Sequence, residues 1–303
     1  MTLQQMIDFC TVAQHGSLHA AARTSGQTQP ALSKSLRRLE EHLGAQLVTR
    51  SAKGLRLTDY GTRFLPHAQL VVAEARRAKE AVGQLLGEQL GHVHYGISTA
   101  ASILLAPAAV ERFRQRFAQV QLRSHGGLYD TLTPLLREGL LDFAICPMPG
   151  DMPVGEFATT LLLNSDMALV ARPGHPDARA RSLRRLQHAR FVVGAARGRP
   201  GAGIYDAFEA AGLGTPFVQV QTDSPLDTLA MVAATDCLCL VPAELLRHGF
   251  FQGAVVALAI EDALPVYRVG LFRRHDSPLT PAAQALAAHF EHEAALLPRR
   301  KQR

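Results

Sequence analysis

Over the first ninety residues the apolar positions recur with helical spacing. Met6, Ile7, Phe9, Cys10 and Ala13 give a helix over 3–15 one apolar stripe, and a short second helix over 18–24 ends at a turn at Ser25 and Gly26. The third helix has a sharp start. Thr28 can accept a bond from a first-turn amide, and Pro30 sits where its missing N–H costs nothing. Ala31, Leu32, Ser35, Leu36, Leu39 and Leu43 form its stripe, and Gln29, Ser33, Lys34, Arg37 and Arg38 fall outside it. After Gly44, two short alternating runs around Ala52, Lys53 and Gly54 predict a hairpin. From 59 to 90, Phe64, Ala68, Val71, Ala75, Ala78, Val82 and Leu85 step by four and three, a heptad seam. Many seam residues are small, so two such helices can approach closely, whereas one copy would leave the seam uncovered. A dimerising helix is the expectation.

Past Gly91 the period changes to short apolar runs alternating with amphipathic stretches. Strands are expected near 93–98, 119–124, 141–146, 167–171, 191–194, 217–221, 237–241 and 267–272. Helices are expected over 103–117, 131–138, 204–211, 226–233 and from Pro281. This alternation predicts a parallel-dominated α/β sheet. The stretch 146–156, CPMPGDMPVGE, breaks it into two halves.

At 303 residues and 47% hydrophobic content the chain is long enough for two or three domains with real cores. The N-terminus lacks a basic start, a long apolar core and a cleavage site, and no run of about eighteen apolar residues occurs, so a cytoplasmic protein without membrane contact is expected. The four cysteines, Cys10, Cys146, Cys237 and Cys239, lie in apolar runs and suit buried thiols better than a disulfide framework. Charge is unevenly spread. The net charge is +6, and between Arg23 and Arg63 eight basic residues face three acids, so most of the excess sits in one segment, as a polyanion-binding surface requires. The terminal RRKQR reads as a solubilising tail. Catalysis has no support in motif: there is no GxSxG, Walker loop, HExxH or CxxC, and the Gly-rich GAARGRPGAG lacks the GxGxxG spacing. His92 and His94 could share a strand face, but no further metal ligands are identified, so neither metal nor cofactor is expected.

The basic segment carries a specific chemistry. Gln can pair with adenine in the major groove, and Arg or Lys with guanine or phosphate. Thr28, Gln29, Pro30, Ser33, Lys34 and Arg37 lie on a helix suited to that groove, with Arg50, Lys53 and Arg56 on a hairpin able to follow the phosphates. A small helical domain with a solvated basic face would share the helix pair but not the hairpin. The run Ala20 to Ala22, Gln29-Pro30-Ala31-Leu32-Ser33, Leu39-Glu40, Leu43-Gly44, Leu47, Arg50 and Leu57-Thr58 resembles the N-terminal signature of LysR-type transcriptional regulators. Two positions depart from it: Ser25 stands where that family usually has a core leucine, and Gln27 where it has a small aliphatic residue.

The resemblance implies a winged helix-turn-helix over 1–58, a linker helix over 59–90, and an effector domain over 91–303 similar to periplasmic solute-binding proteins. Its first subdomain would comprise about 92–148 plus 267–297 and its second about 160–262. It also implies double-stranded DNA, a small effector and, for an activator, RNA polymerase as partners, with a homotetramer built from the dimer. Segments 197–201 and 273–276 resemble the regulator of a toluenesulfonate-degradation operon and its relatives. Ligands of open α/β sheets collect at strand carboxyl ends. That rule selects Ser98, Thr99 and Ser102, then Gly127 and Tyr129, then Ala196 and Arg197, then Thr222 and Asp223, a lining suited to a small organic anion. The competing expectation is a constitutive or architectural DNA-binding protein with a non-functional pocket.

Overall fold

The computed structural model describes residues 1–51, 54–150, 152 and 155–297, without the side chains of Arg50, Ser51 and Phe250. Lys53 and the terminal RRKQR, both assigned roles from sequence, lie outside the described residues.

Three helices, α1 (Leu3–His15), α2 (Leu18–Ser25) and α3 (Gln29–Leu43), precede the antiparallel hairpin β1 (Val48–Ser51) and β2 (Gly54–Leu57). Local chemistry sets each boundary. Thr2, Ser17 and Thr28 cap the helix starts through their hydroxyls, and Gly16, Gly26 and Gly44 end them in the left-handed conformation. Phe9, Val12, Ala21, Leu32, Leu36, Leu39 and Leu47 make the core. The stripe of α3 is narrower than its spacing implies, since Ala31 and Leu43 are exposed. Glu40 ties α3 to the hairpin by accepting the Leu47 and Val48 amides at 2.8 and 3.2 Å. Gly61 is obligatory: a Cβ there would stand 2.0 Å from the Leu47 carbonyl oxygen.

Helix α4 (Asp59–Leu85) leaves this head, with Ala68 in the head core and Phe64 against Phe9 at 5.4 Å. It stops short of the expected residue 90 because the chain turns at Gly87, where φ is +95°. Further along, Ala73, Arg77 and Gly83 are buried, whereas Val71, Val82 and Leu85 are 44%, 60% and 78% exposed. The outer part of the seam is therefore uncovered in a single chain.

The remainder forms a nine-stranded sheet. In order of appearance come β3 (His92–Ile97), α5 (Thr99–Arg116), β4 (Gln121–Gly126), α6 (Tyr129–Arg137), β5 (Phe143–Pro147), β6 (Phe157–Ala171), β7 (Arg190–Val193), α7 (Ile204–Ala210), β8 (Phe217–Gln221), α8 (Pro225–Ala234), β9 (Cys237–Pro242), β10 (Val256–Ala257), β11 (Val266–Arg274) and α9 (Pro281–Leu296). The sheet runs β4-β3-β5-β11-β6-β9-β7-β8, with β10 beside β6.

The expectation of a parallel-dominated sheet is corrected. Parallel pairs occur at the two flanks, β3 with β4 and β5, and β7 with β8 and β9. The centre is antiparallel, because β6 carries the chain out of one half and β11 brings it back. Strand β6 is 15 residues long, not the five expected, since Asn164, Ser165 and Asp166 break its apolar run while the ladder to β11 continues through them. Each half has its own core. Phe113, Phe143, Leu286 and Phe290 lie in the first, between α5, α9 and the sheet; Leu183, Phe191, Phe208 and Leu238 lie in the second.

Candidate functional site

On α3 the Thr28 hydroxyl accepts the Ala31 amide at 3.4 Å, and Pro30 occupies the first turn. Thr28, Gln29, Pro30, Lys34, Arg37 and Arg38 are exposed and Ser33 is half-buried, so one polar, basic face is presented. Arg37 is held along the helix by Glu41, Nε to Oε1 2.9 Å, which restrains its reach. Arg56 is exposed on β2, and Arg50 pairs by backbone with Leu55 on the neighbouring strand.

Behind this face lies a buried polar cluster. Asp8 is 1% exposed. Its Oδ1 accepts Gln27 Nε2 at 2.8 Å and Gln4 Nε2 at 2.9 Å, and its Oδ2 accepts the Ser35 hydroxyl. Gln27, which breaks the apolar pattern of the turn, thus has a partner on α1, and Ser35 carries the same contact into α3. Ser25 satisfies its hydroxyl within α2, donating to the Ala22 carbonyl at 3.3 Å. Sequence spacing gave no sign that these residues meet.

Where α4 crosses the first half of the sheet domain, Arg77 is 4% exposed. Its guanidinium donates to Asp142 and Glu74, each at 2.6 Å, and to the Gly139 and Leu141 carbonyls at 2.6 and 3.1 Å. Glu74 also binds Arg274 and Ser277, and Asp142 accepts the His94 amide at 2.8 Å. Every charge in this network has partners, so the helix is fixed to the lobe rather than draped over it.

Between the two halves of the sheet domain opens a cleft of about 420 Å³. Ser98 stands at its rim as the N-cap of α5, yet makes no capping bond, and its Oγ is buried beside the Tyr267 phenol. Thr99 and Ala100 also line the cleft, and their amides belong to the first helical turn, which has no intrahelical acceptors. Gly127, Thr222 and Asp223 line it as well. The Thr222 hydroxyl accepts the Ser224 amide at 3.1 Å and is thus partly engaged.

Ser102, Tyr129, Ala196 and Arg197 stand outside the lining. Tyr129 turns into the first lobe against Phe272, ring centroids 5.5 Å apart, and burial, with Glu156 nearby, pushes its phenol pKa up. Arg197 pairs with Glu209 at 3.3 Å and lies over the Tyr205 ring. Other lining residues escape the strand-end rule: Tyr267 from the returning strand β11, Thr131 and Thr228 from helices, and Val170, Val232, Leu245, Phe251 and Val255 from the second lobe. Burial pushes the Tyr267 phenol up, and Ser98 beside it pulls it partly back.

A second cavity, about 530 Å³, shares Pro147, Met167, Gly201 and Tyr267 with the first and includes Arg199 and Arg268. Arg199 spans the lobes to Asp130 at 3.3 Å. Among the described residues, no group of three or more His, Cys, Asp or Glu is placed to hold a metal ion, and no helix is long and apolar enough to cross a membrane. Burial pushes Cys146 and Cys239 up to about 12, which keeps them protonated and unreactive near neutral pH.

A winged helix-turn-helix head joined by one long helix to a two-lobed α/β cleft defines a ligand-responsive DNA-binding protein. The model for the bacterial regulatory helix-turn-helix protein, lysR family, matches residues 3–62, and that for the LysR substrate binding domain matches residues 87–295. The HTH-type transcriptional regulator GbpR of Azospirillum brasilense is 27% identical over 95% of this chain and 85% of its own length. The SDS degradation transcriptional activation protein of a Pseudomonas strain is 27% identical over 98% of this chain and 97% of its own length. Full-length CbnR in complex with its target DNA has the same fold, with a TM-score of 0.70 at 18% identity over 97% of this chain and 100% of that one. The chain belongs to the LysR family of bacterial regulators. It is a DNA-binding transcriptional regulator with an effector-binding domain and not an enzyme, and regulators of this family bind DNA and small-molecule effectors and form oligomers.

Proposed function

We propose that this regulator is a cytoplasmic, one-component sensor that reads DNA with residues 1–58, dimerises through 59–90, and binds a small organic anion between lobes 92–148 plus 267–297 and 160–262. Gln29, with Thr28, Pro30, Ser33, Lys34 and Arg37, enters the major groove, and Arg50, Lys53 and Arg56 follow the backbone. The uncovered apolar residues Val71, Val82 and Leu85 support dimerisation, and a dimer of dimers contacting RNA polymerase is the assembly we assign to the active form.

The observation that carries the effector reading is the N-terminus of α5 at one end of the cleft: the Ser98 hydroxyl makes no capping bond, and the first-turn amides of Thr99 and Ala100 have no intrahelical acceptors. A carboxylate or sulfonate there would accept from Ser98 and the amides of α5. The likeness to an SDS-degradation activator supports including sulfate esters, and we extend the class to sulfonates on the resemblance of segments 197–201 and 273–276 to the toluenesulfonate-operon group. Thr99, Gly127, Thr222 and Asp223 complete the site, and Ser102, Tyr129, Ala196 and Arg197 act from behind or beside it.

Footprinting on the DNA upstream of the reading frame, with and without a panel of organic acids, tests this directly. A protected region that shifts or shortens with one class of acid is the expected result. Protection indifferent to every compound would favour the constitutive DNA-binding alternative. Gln29→Ala should relax preference at one base position, lowering discrimination by about 1–3 kcal/mol, while Arg56→Ala should weaken all sequences and reduce the salt slope by about one. Equal loss on all sequences for Gln29→Ala would remove its reading role.

A further inference from the structure

Resting on the cleft as the effector site, we propose that it selects a monoanion with an extended apolar body, a substituted aromatic or medium-chain aliphatic carboxylate or sulfonate, and rejects dianions and polyhydroxylated acids. The lining is asymmetric. At one end are the Ser98 hydroxyl, which makes no capping bond and lies beside the Tyr267 phenol, and the first-turn amides of an 18-residue helix, sufficient for one anionic group. The wall beyond is Val192, Val232, Leu245, Phe251 and Val255, all buried and packed in one apolar cluster. Among the described lining residues none is Lys, Arg or His, and Asp223 is the charged one.

A second negative charge on the ligand would therefore lie against the apolar wall without a counter-charge, or face Asp223, and either is strongly unfavourable. Hydroxyl groups along the body would lose water and find no partners there. Size excludes the smallest acids from filling the site: in a cavity of about 420 Å³ an acetate-sized ligand would leave most of the wall wet. Arg199 and Arg268 line the adjoining cavity, and Arg199 is paired there with Asp130 at 3.3 Å, so its charge already has a carboxylate against it.

The test is calorimetric titration of the full-length protein with matched probes: 4-methylbenzoate, octanoate and octane-1-sulfonate as monoanions, terephthalate as the dianion of the same ring, and 4-methylbenzamide as the neutral counterpart. The three monoanions should bind and raise the melting temperature. Terephthalate should bind about a hundredfold more weakly than 4-methylbenzoate, and the amide about three- to thirtyfold more weakly. Ser98→Ala should weaken the monoanions about tenfold or more. Terephthalate or the amide binding as tightly as 4-methylbenzoate overturns the charge class; if that binding still depends on Ser98, the cleft remains the effector site. Monoanion binding indifferent to Ser98→Ala overturns the cleft reading itself. Failure of every probe to bind overturns the proposed class.

Discussion

Asp8 in the head and Ser98 in the cleft are equally hidden, each 1% exposed, and their surroundings are opposite. Asp8 receives three side-chain hydrogen bonds from three segments; Ser98 Oγ makes no capping bond and has only the Tyr267 phenol beside it. The comparison separates two uses of burial. The satisfied group fixes how α1 and α3 sit, and the hydroxyl that caps nothing leaves the first turn of α5 open toward the cleft.

That difference can be sharpened first where satisfaction is greatest. Arg77→Ala would leave Asp142 buried and uncompensated, so stability should fall by about 3–5 kcal/mol, read as a lower urea midpoint. A change under about 1 kcal/mol would show that the linker network is ornamental.

Asp8→Ala should cost about 3 kcal/mol, because Gln27 and Ser35 lose their acceptor. The triple change Asp8→Ala, Gln27→Val, Ser35→Ala, which removes the cluster together, should recover most of that loss. No recovery would mean that Asp8 acts through something other than these partners.

A pH effect of intermediate size follows from the buried thiols. Burial raises Cys146 and Cys239 from 9.0 to about 12, so the unfolded chain releases these protons first. Their contribution is present below pH 9 and is lost as pH rises from there toward 12, on the order of 1 kcal/mol per thiol by pH 10. Cys239→Ala should flatten the decline in thermal stability measured between pH 8 and 10; an unchanged slope would assign it to other groups.

The smallest effect belongs to Ser98. Ser98→Ala in the ligand-free protein should change stability by less than about 1 kcal/mol, since the hydroxyl makes no capping bond. A loss above about 2 kcal/mol in the denaturation midpoint would mean that the hydroxyl already has a structural partner and would collapse the contrast with Asp8.

The head was largely legible in the sequence because its signals are local. Thr28, Pro30 and Gly44 mark the two ends of α3 within one stretch of chain, and the hairpin follows at once. The Asp8 cluster was not legible, since Gln27 reads as a flaw in the turn until α1 is placed beside it. The cleft was legible only in part. Strand-end reasoning finds Ser98, Thr99, Gly127, Thr222 and Asp223 in the lining, but Tyr267 arrives on an antiparallel strand returning from the second lobe, to which the rule for parallel ends does not apply. The same crossing explains why β6 was foreseen as its last five residues alone: its polar middle is a strand because β11 pairs with it, not because of its own pattern.

The most direct measurement of the central claim is a paired footprint of the wild-type and Ser98→Ala proteins on the upstream DNA, each with and without 4-methylbenzoate. Both proteins should protect the same region when ligand-free, and the acid should alter protection by the wild type while leaving the variant's unchanged. Identical responses of the two proteins to the acid would contradict the account, because the Ser98 hydroxyl would then have no part in linking effector to DNA.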